Sequence, residues 1–282
     1  MGVKIITDST SYIPKEFLKK YDIKVASLSV SLGNEVFREV DIDNNYFYKK
    51  MDQCDEFPKS SQPSIEELRA LMEEIIKNGD DVVCVFISSD MSGTYSTANM
   101  VKNMIISDYP NSKIQIIDSR TNCMQMGYGV LQGAKAAKEG KEIGEVLKEI
   151  EAVLENSRFL FTPDTLTYLK KGGRIGGASA LLGNILKIRP ILTVVDGKTT
   201  VLDKVRTKKK AVDKMVNTFI EDINKNILGD VIVHHINCEE EGKELANRIK
   251  ELLNVNVEIT SIGPVIGTHV GPGAIGIAYY TK

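Results

Sequence analysis

The sequence predicts an α/β protein in two parts, an N-terminal unit (residues 1–157) built on an open sheet of the parallel type and a second, C-terminal α/β unit (158–282). Three observations carry that prediction. Val82–Ile87 (VVCVFI) is an unbroken apolar run, the pattern of a strand buried on both faces of a parallel sheet. Apolar strands end in hydroxyl- and carboxylate-bearing clusters at Asp8–Ser11, Ser88–Thr94 and Asp118–Thr121, and a helical pattern follows each, the alternation of an α/β fold. Beyond residue 157 the texture changes to short strands, glycine pairs and two long amphipathic helices, with no linker or internal repeat between the halves.

In order, Val3–Thr7 reads as the first strand, and Pro14 suits the first turn of the helix PKEFLKKY. Ile23–Leu32 partly alternates apolar with polar, and Gly33-Asn34 turns it into EVFREV as a hairpin. Asp43 can cap the short helix NNYFYKKM. Ser64 and Glu67 form a capping box for IEELRALMEEIIKNG, which Gly79 closes. Pro63 keeps Gln62 out of the helical region, so Ser60–Gln62 is extended; capping uses Ser64 and leaves Ser61 free. After Ser92–Tyr95 comes a helix, then the strand Ile114–Ile117 and two helices, Cys123–Lys138 and Ile143–Asn156. In the second half Phe159–Phe161 is a strand, Asp164 caps TLTYLKK, and Gly172-Gly173 stop it. ASALLGNILKI reads as a small apolar helix. ILTVV and TTVLDKV are joined by Asp196-Gly197, a hairpin signal. A helix from Thr207, strand VIVHHI, helix EEGKELANRIKELL and strand VEITSIG follow; Gly263–Ala274 reads as a glycine-rich tail before the last strand, IGIAYY.

Composition narrows the function classes. The chain has 282 residues, 42% of them hydrophobic and 26% charged, as globular proteins do. A formal charge of -2 speaks against a nucleic-acid surface. Cys54, Cys84, Cys123 and Cys238 form no CxxC pair and only three histidines are present, so no metal is expected. No secretory leader is recognisable, and no apolar run approaches the ~20 residues of a membrane span. A soluble, cytoplasmic protein is the expectation. Neither G-x-x-x-x-G-K-[ST] nor G-x-G-x-x-G follows a strand, so no cofactor or nucleotide site is expected either.

Strand, hydroxyl-rich turn and helix N-terminus at Val82–Tyr95 form the ligand-binding corner of an open α/β sheet. Its orphan N–H groups favour an anion, with Ser92 and Thr94 adding movable hydroxyls. Read alone, this stretch favours ordinary helix capping by Ser92 and Thr94 over a binding role. His234 and His235 lie within a strand and are read as structural.

Taken together, Asp8-Ser9-Thr10, SSQPS at Ser60–Ser64, SGTY at Ser92–Tyr95, Asp118-Ser119, YLKKGGR at Tyr168–Arg174 and GTHVGPGA at Gly267–Ala274 resemble the DegV family over essentially the whole chain. The resemblance implies a FakB-like protein that binds one long-chain fatty acid in a pocket between its two α/β domains. It also implies a partner, a separate ATP-dependent fatty acid kinase that makes an acyl-phosphate for phospholipid synthesis. Carried over by motif, the carboxylate-binding hydroxyls fall on Ser61 and Ser92, with His269 near the headgroup and Gly93, Thr94 and Thr268 in the same motifs. Many members of that family have Thr where this chain has Ser61, which loses a methyl and some rotamer restriction.

The chemistry is coherent with those residues. A buried carboxylate needs its oxygens hydrogen-bonded, and hydroxyl donors at a helix N-terminus do this without a permanent cation. At ~0.8 kcal/mol per buried CH₂, a sixteen-carbon tail adds on the order of 10 kcal/mol. Ala178, Ala180, Leu181, Leu182, Ile185 and Leu186 are candidates for the tail pocket, or equally an ordinary core helix. Lys170, Lys171 and Arg174 form a basic turn, either favourable charge at a helix C-terminus or a contact for the kinase or the acyl-phosphate. The rival readings are a serine hydrolase using Ser92 with His269, which lacks a G-x-S-x-G elbow, and a lipid-responsive regulator without a kinase. The expected protein is a non-catalytic binding subunit.

Overall fold

The apolar run predicted to lie inside a parallel sheet does so: Asp81–Phe86 is buried at every position, with a parallel neighbour on each side. The computed structural model describes residues 2–181 and 188–282. In chain order it runs β1 (Val3–Asp8), α1 (Lys15–Lys20), β2 (Lys24–Ala26), β3 (Ser29–Leu32), β4 (Glu35–Arg38), α2 (Asn44–Asp52), β5 (Lys59–Ser61), α3 (Ile65–Lys77) and β6 (Asp81–Phe86). Next come α4 (Thr94–Asp108), β7 (Ile114–Asp118), α5 (Cys123–Lys138), α6 (Ile143–Glu155), β8 (Ser157–Thr162) and α7 (Thr167–Lys171). A 3-10 turn at Gly176–Leu181 precedes β9 (Arg189–Val195), β10 (Lys198–Val205), α8 (Lys208–Ile223), β11 (Leu228–His235), α9 (Glu239–Leu253), β12 (Glu258–Ser261), α10 (Pro264–Val270) and β13 (Ile275–Thr281).

The first sheet is parallel, in the order β2-β1-β6-β7. Its order reverses between β1 and β6, and an open α/β sheet has its crevice outside the carboxyl ends at that point. Helices α3 and α4 cover one face with Leu68, Met72, Ala98, Val101 and Ile105; α5 covers the other. The second sheet is mixed, β10-β9-β8-β13-β11-β12, antiparallel except where β11 meets β12. Helices α8 and α9 close its outer face with Met215, Phe219, Leu245 and Ile249. Helix α5 also packs on β8 and β13, so one layer serves both sheets, and a single apolar cluster runs from Val83 and Val85 to Phe159 and Ala278. This double duty explains why α5 is buried on nearly every side. At Gly133, an added Cβ would lie 2.5 Å from Ile150 of α6, so the close α5–α6 approach requires glycine there.

Three sequence expectations change on folding. Ile23–Leu32 is not one strand: β2 stays in the parallel sheet, and β3 leaves to join β4 and β5 in a small antiparallel sheet. The break is held by side chains, with Ser27 N donating to Glu67 Oε1 (3.0 Å) and Leu28 N to Ser9 Oγ (3.1 Å). Ser64 does cap α3, but Glu67 leaves the capping box to take Ser27 and Arg38. Asp164 caps nothing; its carboxylate pairs with Arg189 and Lys208.

The glycine-rich tail also folds into more than a loop. Pro264 stands at the first position of α10, where its missing N–H costs nothing. An added Cβ at Gly267 would overlap Tyr48 Oη and lie 2.7 Å from Tyr48 Cζ, so glycine brings α10 against α2. Tyr48 in turn donates to the carbonyls of Ile262 and Gly263 (3.1 Å each). Helix α10 therefore packs against α7 of its own half and against α2, β3 and β5 of the N-terminal half. His234 is structural in a specific way: Nδ1 bonds the Thr260 carbonyl and Nε2 accepts from Met124 N at the start of α5. No helix among the described residues is long and apolar enough to cross a membrane.

Candidate functional site

At the switch point, Asp8 stitches the two central strand ends together. Its carboxylate accepts from Ile87 N (2.8 Å), Thr10 N (2.9 Å) and Thr10 Oγ1 (2.5 Å). Burial outweighs those donors and pushes its pKa up to about 6. The Asp-Ser-Thr motif is thus a brace for the corner. Ser88 Oγ donates to the Gly197 carbonyl (2.9 Å), and Arg120 pairs with Asp90 while donating to the Asp196 carbonyl. These bonds seat the β9–β10 hairpin turn on the ends of β6 and β7.

A cavity of about 260 Å³ opens beside this corner, lined from both halves of the chain. Its walls include Leu28, Ile87, Phe161, Leu169, Val265 and Ile266; its polar lining includes Ser60, Ser61, Ser92, Asn122, Arg174 and His269. Ser92 Oγ lies 2.9 Å from Thr94 Oγ1 and accepts from Thr94 N (3.3 Å), so the hydroxyl already serves the start of α4. Gly93 also lines the cavity, and the Gln62 side chain lies where a Cβ of residue 93 would be, on its way to donate to Thr97.

Strand β5 brings Ser60 and Ser61 to the cavity by pairing with Val30 and Ser29 of β3. The extended conformation expected at SSQPS is present. Ser61 is exposed at the rim, whereas its half-buried neighbour Ser60 shares a 2.7 Å hydrogen bond with His269 Nε2. His269 occupies the last turn of α10, with Nδ1 against Gly172 and unbonded among the described residues. Burial, then the nearby Arg174 charge, lowers its pKa to about 4, so the ring is neutral at pH 7.

The basic turn divides. Arg174 donates to the carbonyls of Met91 (3.0 Å) and Gly172 (2.8 Å) and lines the cavity. Lys171 sits over the Phe57 ring and Lys170 is exposed. The polar end expected to carry no permanent cation therefore has one beside it. Thr94 and Thr268 are fully buried and lie outside the lining. Of the residues considered for the tail, Ala178 is buried, Ala180 exposed and Leu181 half-buried, none of them in the lining; Leu182, Ile185 and Leu186 lie outside the described residues.

Two contributors were not singled out from the sequence. Ser60 matters through β5–β3 register and the position of α10, both tertiary. Glu39, buried after β4, accepts from Ser9 Oγ (2.5 Å), Tyr12 Oη (2.9 Å) and Val265 N (2.8 Å). It thereby caps the N-terminus of the helix that carries His269. Burial pushes its pKa up to about 7.

Fold and site define a three-sheet α/β protein with an apolar-walled, hydroxyl-rimmed cavity lined from both halves of the chain. The chain belongs to the DegV family: the family model described as "Uncharacterised protein, DegV family COG1307" matches residues 2–282. It is 56% identical over 282 residues to a DegV domain-containing protein of Clostridium acetobutylicum, covering 100% of this chain and 99% of that one. Among solved structures, Bacillus subtilis DegV, described as a fatty acid binding protein, aligns with a TM-score of 0.90 at 34% identity, over 100% of both chains. A DegV family protein from Thermus thermophilus, described by its fatty acid binding, aligns at 0.91 with 27% identity over 100% of both chains. A stearic acid-binding protein from Eubacterium ventriosum aligns at 0.91 with 29% identity, over 99% of this chain and 98% of that one.

Proposed function

We propose that this protein binds a single long-chain fatty acid, holds its carboxylate at Ser61 and Ser92, and presents it to a separate ATP-dependent fatty acid kinase. The observation that carries the reading is the cavity itself, in which a hydroxyl-bearing rim and apolar walls from both halves meet. The ligands named for the Bacillus, Thermus and Eubacterium structures support it. In this reading residues 1–157 supply the corner and residues 158–282 supply most of the cover. In the same reading Arg174, held by two main-chain carbonyls at the rim, meets the kinase or the acyl-phosphate. The cytoplasm is the proposed compartment.

The hydrolase alternative needs Ser92 bonded to His269 and an acid behind the ring. Here Ser92 bonds Thr94, His269 bonds Ser60, and Nδ1 has no acid partner among the described residues. The deciding experiment is solvent extraction of the purified protein followed by mass spectrometry. A near-stoichiometric long-chain fatty acid is expected, held more weakly by a Ser61→Ala, Ser92→Ala double variant. A protein that is empty and takes up no added fatty acid would overturn the reading, as would a fluorophosphonate label on Ser92.

A further inference from the structure

The two hydroxyls assigned to the carboxylate stand on separate parts of the fold. Ser61 ends β5 in the small antiparallel sheet, and Ser92 precedes α4, the helix that follows β6 of the parallel sheet; the two sheets share no strand. Among the described residues, one hydrogen bond joins the segment Ser60–Gln62 to α4: Gln62 Nε2 donates to Thr97 Oγ1. Pro63 keeps Gln62 extended, so the side chain next to Ser61 reaches the first turn of α4. Gly93 leaves room for that path. Its φ of -73° is open to any residue, yet an added Cβ would overlap Gln62 Oε1 and lie 3.2 Å from Gln62 Cδ. The glutamine of SSQPS and the glycine of SGTY therefore fit each other. Gln62 lines the cavity, whereas Thr97 is 9% exposed and lies outside the lining.

Resting on the carboxylate site of the fatty-acid reading above, we propose that Gln62 is a positioning residue: through Thr97 it fixes the spacing of Ser61 and Ser92, and so makes the site selective for a two-oxygen anionic chain end over a single-oxygen one. A carboxylate is held at both oxygens only while its two donors keep a set separation, whereas an alcohol end needs a single partner. Losing the Gln62–Thr97 bond lets β5 and the start of α4 shift against each other, which loosens the grip on the acid and leaves the alcohol as it was.

The test measures the dissociation constants of stearic acid and 1-octadecanol for the delipidated full chain, as wild type, Gln62→Leu, Thr97→Val and the double variant. Each single variant should weaken stearic acid about fivefold, the order of one net hydrogen bond, with 1-octadecanol unchanged. The double variant should lose no more than either single one, because both remove the same bond. Equal weakening of acid and alcohol would mean a merely structural role and overturns the proposal. So does a loss in Gln62→Leu that Thr97→Val does not share: Thr97 is outside the lining, so Gln62 would then touch the carboxylate itself. Losses that multiply to about twenty-five-fold in the double variant overturn it as well. If Ser61→Ala, Ser92→Ala loses the preference for the acid while Gln62→Leu and Thr97→Val keep it, the carboxylate site stands and this proposal falls. A wild type that binds neither compound overturns the fatty-acid reading itself.

Discussion

Replacing Glu39 by Gln should change how stability depends on pH, and the size of the change follows from the structure. Glu39 is faced by Ser9 and Tyr12 from the segment after β1, by Val265 N of α10, and by the nearby Asp8, Tyr48 and Cys123. Its pKa stands at about 7 against an ordinary 4.5, because burial outweighs the three donors. Between those values the folded protein holds a proton that the unfolded chain has released, so this group's contribution to stability falls as pH rises through about 7 and is flat above it. At 1.36 kcal/mol per pH unit, the fall between pH 5 and pH 8 is about 2–3 kcal/mol. Asp8, raised to about 6, acts in the same direction, while His234 and His269, lowered to about 4, act in the opposite one. The four contributions largely cancel below pH 6.5, and Glu39→Gln removes one side of the balance. Urea denaturation of delipidated wild type and variant at pH 5 and 8 measures it. The variant should gain about 2–3 kcal/mol relative to wild type on going to pH 8. A constant offset between the two proteins over that range would refute the assignment of a buried, proton-holding Glu39.

Gly267→Ala should destabilise by about 2–4 kcal/mol, since the methyl overlaps Tyr48 and lifts α10 from two Tyr48 hydrogen bonds; an unchanged Tm would show that α10 is not seated there. Ser60→Ala removes the hydrogen bond to His269 Nε2, costs about 1–2 kcal/mol and should weaken fatty-acid uptake, with Ser60→Thr restoring it. Full uptake by Ser60→Ala would remove His269 orientation from the account of the site. In the ligand-free protein the His269 ring protons should show no NMR titration between pH 6 and 8; a midpoint near 6.5 would mean that the ring is solvated.

What was legible in the sequence was what is decided locally. A strand buried on both faces must be continuously apolar, and Val82–Phe86 is; a two-residue turn at Asp196-Gly197 needs positive φ, and both residues adopt it. What was hidden depends on partners distant in the chain. Asp164 has the chemistry of a cap, but Arg189 and Lys208 claim it. The α10 segment has the composition of a loop, and becomes a helix because Glu39 and Tyr48, more than two hundred residues earlier, satisfy its start. Ser60 and Ser61 differ only in which face of β5 they occupy, and the strand's partner decides that.

The arrangement of charge around the cavity follows from these same packing decisions. The hydroxyls of Ser60, Ser61 and Ser92 are neutral, and burial keeps His269 neutral as well. The two buried carboxyls, Asp8 and Glu39, spend their oxygens on the chain's own N–H and O–H donors. The guanidinium in the lining belongs to Arg174, and two carbonyls already hold it at an exposed position. A carboxylate entering the proposed site would therefore meet donors that favour it without the bidentate clamp an uncommitted Arg would impose. Its firmest hold would be the apolar wall. That division suits a protein that keeps its ligand by the tail and leaves the carboxyl group open to reaction.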